Sequence, residues 1–273
     1  MNEHNDVRRI FLLNPDQRLV REAARAGVQV RAARVDAHDE PALRASLAEA
    51  AEAGLCVNPA RALSVLAAPA AVARLVRDNR LSPGGAEAAP DDPRLTVETL
   101  SVHGMHQAVA ITAHTPYGLL HPAPLTDDTA AEVRAVVTAL LDLTGYQYGP
   151  AHTSVALTPR GPVITGCREG LADDPVPDLV KAAGGCDLAA AAVEVLSGQL
   201  VDTARPRRFA AAAVLDAPWR LETAEVGVLP HVRHVSPPGA GGGPGHVVVH
   251  ADSPEVAAQR ATSVRGLLVE DGC

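Results

Sequence analysis

LTVETLSVHGMHQAVAIT, residues 95–112, holds two β-prone runs, 96–102 and 107–112, on either side of His103-Gly104-Met105-His106. That arrangement predicts an antiparallel hairpin turning at Gly104. A second pair follows the same logic, with residues 151–157 and 162–165 flanking Thr158-Pro159-Arg160-Gly161. Between the hairpins, residues 129–143 have the period of an amphipathic helix, and Thr126-Asp127-Asp128 offer capping oxygens to its first turn. Residues 178–183 and 188–196 read as further helices, 210–215 and 247–249 as strands, and 254–268 as a last helix. Hairpins and helices in this order give an α+β architecture for the C-terminal two thirds.

Toward the N-terminus the character changes. SPGGAEAAPDDP, residues 82–93, concentrates Pro, Gly, Asp and Glu and reads as an exposed linker. Before it, an apolar run at residues 10–13 ends at Asn14-Pro15-Asp16, a helix follows over 18–26, and Gly27 stops it. Val28, Val30 and Val35 mark a second strand and residues 40–53 a second helix, so the opening is a small parallel α/β unit. No Gly-x-Gly-x-x-Gly follows its first strand, which leaves out a dinucleotide fingerprint. Residues 58–78 give two short helices, with Pro59 at a first helical position and Pro69 interrupting. The division expected is a front lobe over 1–81, a linker over 82–94 and an α+β domain over 95–273.

At 273 residues and 47% hydrophobic the chain can bury a real core, but with only two Phe, three Tyr and one Trp that core is built from Ala, Val and Leu. A formal net charge of −8 leaves no broad basic face for a phosphate backbone or an anionic membrane. No apolar run is long enough for a membrane span and MNEHNDVRR is not followed by a signal-type apolar stretch, so a cytoplasmic location is expected. Cys56, Cys167, Cys186 and Cys273 have neither Cys-x-x-Cys spacing nor scaffold density and read as reduced thiols. Lys181 is the one lysine, against 23 arginines (24 − 1).

The strings VNPARALSVLAAPAAVARLVRDNRLSP (57–83), LTVETLSVHGMHQAVAIT (95–112), AHTSVALTPRGPVITGCREGLADDPVPDLV (151–180) and HVVVHADSPEVAAQRA (246–261) stand in an order that resembles the ATP-grasp superfamily. The likeness is to its carbamoyl-phosphate-synthetase-like carboxylate–amine ligases. It implies a preATP-grasp-like α/β N-terminal lobe followed by an α+β ATP-grasp-like domain. In that family a small lobe gripping adenine and phosphates stands between the helical passage and the first hairpin. Here the acidic linker takes its place, so the nucleotide-gripping subdomain is expected to be lacking.

The resemblance also implies where chemistry would sit. The family places a Glu after His-Thr on one strand and Glu-x-Asn-x-Arg on the next, because two magnesium ions bridging ATP phosphates need hard oxygen ligands. This chain has Ser154 at the first position and Gly166, Arg168 and Gly170 at the others; one-residue slips bring in Thr165 and Cys167 and still no carboxylate. Family lysines that hold the phosphates have no counterpart, since Lys181 lies beyond the metal strand. Neither ATP nor a metal is therefore expected as cofactor. The reading is a truncated, degenerate ATP-grasp-like protein that binds an amino-acid-like ligand or accompanies a complete ligase, as a homo- or hetero-oligomer, in making amino-acid-derived small molecules. Oligomerisation is expected because losing a lobe would uncover the helices at 59–78 and the inner sheet face. The alternative is an ATP-independent cyclase, isomerase or lyase on the same scaffold, with His103, His106 and His152 as its catalytic residues. Two further options are an activated thiol at Cys167 beside Arg168 and a nucleophile at Ser154 near His152; the glycine-rich stretch 239–245 reads as a connector.

Overall fold

The structure, a computed structural model, describes residues 8–215, 219, 223–239 and 244–268. The chain opens with β1 (Arg9–Leu13), α1 (Gln17–Arg25), β2 (Gln29–Ala33) and α2 (Glu40–Glu52), and β1 pairs in parallel with β2. Asp16 caps α1, its side chain accepting from the Arg18 amide, so the Asn-Pro-Asp turn starts the helix as well as ending the strand. Next come α3 (Ala60–Leu66) and α4 (Pro69–Asp78). Pro69 opens α4, where its missing N–H costs nothing, while Pro59 caps α3 from just outside instead of forming its first residue.

An eight-stranded antiparallel sheet makes up the rest. Its strands are β3 (Arg94–Val102), β4 (Met105–Thr115), β5 (Gly118–His121), β6 (Gly149–Thr158), β7 (Gly161–Glu169), β8 (Phe209–Leu215), β9 (Val232–Ser236) and β10 (Gly245–Ala251). They lie in the order β7-β6-β3-β4-β5-β8-β10-β9. The β3–β4 hairpin turns on His103 and Gly104, both with positive φ (51° and 75°), the geometry whose twist matches paired strands. α5 (Asp127–Thr144) starts at a Thr126 cap that accepts from the Thr129 amide and ends at Gly145 with φ 77°. Then follow α6 (Val176–Ala182), α7 (Leu188–Leu196), α8 (Thr223–Gly227) and α9 (Pro254–Leu268). β5 and β9 were not expected from the sequence, and most of the 239–245 connector, like Cys273, lies outside the described residues.

Between α4 and β3 the chain, residues 79–93, forms only a single 3-10 turn at Pro83–Gly85. This stretch is less exposed than its composition suggests. Ser82 and Ala86 are buried, and Pro83 stands close over Gly161 at the start of β7. The helices α3 and α4 are not left without cover either. Leu63, Leu66, Val72 and Val76 join Val133, Val137, Leu140 and Leu141 of α5 and Leu95, Val97 and Val155 of the sheet in one buried cluster. The expected bare helical face is therefore filled by α5 and the sheet. A second cluster joins Ile10, Leu12, Leu19 and Ala23 of the front lobe to Leu100 and Val102 of β3 and to α7, so both cores run across the 82–94 boundary. No described helix is long and apolar enough to cross a membrane.

Candidate functional site

Register places the key positions in two ranks across β3, β6 and β7. Thr96, Ser154 and Gly166 are direct cross-strand partners, and so are Glu98, His152 and Arg168. Direct partners point to the same face of a sheet, and residues two apart along a strand share it, so the six form one patch. The positions where the family resemblance puts magnesium ligands thus do lie side by side. What they offer is a hydroxyl, no side chain and a guanidinium. Glu98, the carboxylate on the neighbouring strand, is 3% exposed, and its Oε1 lies 2.7 Å from Nδ1 of His152. Arg168 turns to Asp173 at 2.9 Å. With Glu98 held by His152, the Ser154, Gly166 and Arg168 positions do not fit two hard-oxygen cation sites.

The three candidate histidines do not meet. His152 faces Glu98, whereas His106 is the register partner of Ser101, three residues further along β3 and hence on the opposite face. There His106 Nδ1 is 2.8 Å from Ser101 Oγ and Nε2 is 3.5 Å from Asp142 of α5, with the side chain only 1% exposed. Burial pushes its pKa down, against a partial upward pull from Asp142. His103 sits on the hairpin turn, 2.7 Å from the Tyr148 hydroxyl with the two rings edge to face. Strand alternation separates His152 from His106, and His103 is engaged by Tyr148. His114 is exposed at the surface, where partial burial, then His152 and Arg94, lower its pKa. His121 is enclosed, its pKa pushed down to about 4 by burial.

Cys167 lies on the core side of β7 with Sγ 3.2 Å from Thr153 Oγ1; burial pushes its pKa up to about 11, which makes it an inert core thiol. Ser154 has Thr96 and Gly166 as cross-strand neighbours and no hydrogen bond to His152, so the nucleophile arrangement is not assembled among the described residues.

A cleft of about 320 Å³ opens where β7 ends, between the Leu13-Asn14-Pro15-Asp16 turn, α3 and the run Arg168-Glu169-Gly170. Asn14 is fully used, its side chain donating to the Val35 carbonyl and accepting from the Val35 amide, which holds this wall in place. Glu169 is the residue the sequence reading missed here. It makes no hydrogen bond or ion pair among the described residues, and burial pushes its carboxyl up to about 7. Glu98 was missed too: alternation along LTVETL puts it with Thr96 and Leu100, opposite Leu95 and Val97, on the face that the sequence alone reads as the more polar one.

No family model and no curated protein matches the chain. Solved structures do. N5-carboxyaminoimidazole ribonucleotide synthetase from Thermotoga maritima aligns over 96% of this chain and 99% of its own, at 10% identity and a TM-score of 0.73. Phosphoribosylglycinamide synthetase from Anaerococcus prevotii aligns over 97% and 99%, at 7% identity and 0.71. An L-amino acid ligase from Bacillus licheniformis aligns over 96% and 98%, at 15% identity and 0.68. At such identities the likeness is one of fold, and the fold of this chain is that of the ATP-grasp carboxylate–amine ligases.

Proposed function

We propose that this chain is a truncated, catalytically degenerate protein of the ATP-grasp fold that binds an amino-acid-like small molecule and serves a complete ligase as accessory partner in making an amino-acid-derived product. The observation that carries the reading is the row of Ser154, Gly166 and Arg168, which bring a guanidinium and no carboxylate of their own, while the one carboxylate beside them, Glu98, is taken by His152. The bare passage over residues 79–93, with a 3-10 turn as its one regular element, supports the absence of a gripping lobe.

The cleft supports a ligand with both charges. Arg168 offers the planar fork that suits a carboxylate, and Glu169 follows it on the same cleft wall as an unpartnered acid that suits an ammonium group. An L-amino acid ligase among the structures of this fold is consistent with such a ligand. The test is calorimetric titration of the intact protein with a panel of α-amino acids and dipeptides. At least one should bind, about tenfold more weakly to Arg168→Ala, and more tightly at pH 8 than at pH 6 because an ammonium favours ionised Glu169. A panel in which nothing binds, or in which Arg168→Ala binds as well as the parent, contradicts the proposal.

A further inference from the structure

We propose that Asp178, His234 and His246 form a binding site for one divalent ion of the zinc class. The three come from different elements at the β9 end of the sheet, opposite the Ser154 patch on β6 and β7. Asp178 lies in α6, His234 in β9 and His246 in β10. His234 pairs with Val248 and His246 with Ser236, so the two histidines are diagonal neighbours on one face, their rings stacked at 5.3 Å and 20°. Asp178 Oδ2 is 3.5 Å from His234 Nε2 and 3.9 Å from His246 Nε2, and the three ligand atoms lie within 4.8 Å of one another. A tetrahedral ion with bonds of about 2.0–2.1 Å spaces its ligands by about 3.4 Å, so small side-chain rotations bring the set to bonding distance.

An independent observation points the same way. The side chain of His246 is 4% exposed, and its Nε2 is sealed from solvent with only Asp178 Oδ2 beside it, at 3.9 Å, beyond ordinary hydrogen-bond length. Native interiors rarely leave such an atom unpaired, and a metal ion is one of the few partners that would take it. Two imidazoles and one carboxylate suit zinc, cobalt or nickel, whereas magnesium and calcium take oxygen shells. His234 and Asp178 are 39% and 32% exposed, which gives an entry path and leaves a fourth position for water. The nearby cations do not oppose the ion with free charge: Arg18 is paired with Asp174, and Lys181 with Asp187 at 2.8 Å.

The experiment strips the intact protein with chelator, dialyses it against zinc, and counts bound metal in the parent, Asp178→Asn, His234→Ala and His246→Ala. A parallel titration uses cobalt as optical probe. One zinc per chain is expected in the parent, with visible cobalt absorption of a low-coordinate site, and affinity about tenfold or more weaker in each variant. His234 is exposed enough that its truncation leaves the fold intact, and His152→Ala, at the other end of the sheet, should bind as the parent does. Absence of stoichiometric zinc in the parent overturns the site, as does equal binding by parent and all three variants.

Discussion

Ser154 and Glu169 differ in how far the sequence alone reveals a residue's place. Ser154 was legible from the His-Thr-Ser-Val string alone, and the structure puts it beside Gly166 in register. Glu169 was not, because its importance lies in the cleft wall across from it, contributed by a turn more than 150 residues earlier in the chain. Its titration has a definite sign. The folded chain keeps the Glu169 proton up to about pH 7, while an unfolded chain releases it near the ordinary 4.5, so folding weakens as pH rises through that window. Glu169→Gln removes the penalty. It should stabilise the protein at pH 8 by about 2–3 kcal/mol more than at pH 5, read from denaturant unfolding at the two pH values. An equal effect at both would mean that the carboxyl is not desolvated.

At the scale of elements, the hairpins at 95–112 and 151–165 and the helix between them were readable because local signals agree there: alternation, a turn glycine, a Thr cap and a 3.6-residue period. β5 was not readable. It is four residues long, lies between Pro116-Tyr117 and Pro122, and exists because β4 and β8 both hydrogen-bond to it. Gly118 opens it with φ 133°, and a Cβ there would stand 2.0 Å from the Ala212 carbonyl oxygen on β8. Gly118→Ala should therefore push β5 off β8, where the two parts of the sheet join, at a cost of about 3 kcal/mol or more. Thermal melting of the variant checks this; an unchanged midpoint would mean that the β5–β8 contact tolerates a methyl group at this position. β9 went unread for a similar reason, and with it His234, so the cluster with Asp178 and His246 had no sequence signature: its members come together only when the sheet edge folds over α6.

For the molecule as a whole, the mixed α and β character with a large antiparallel sheet was legible, but the way the front of the chain packs into that sheet was not. Composition marked 82–93 as a boundary, whereas the apolar clusters run through it, joining Phe11 and Leu43 to the sheet on one side and Ile10 and Leu12 to α7 on the other. Apolar periodicity tells which face of an element is buried, never against what. The same limit explains the expectation of uncovered helices at 59–78, which α5 and the sheet cover instead. The central claim is that a chain with Ser154, Gly166 and Arg168 where the family resemblance puts metal ligands, and a short turn between α4 and β3, does not engage Mg-ATP. Calorimetry of the intact protein with millimolar Mg-ATP measures it directly: no binding heat is the predicted result, and saturable binding with a micromolar dissociation constant would contradict it.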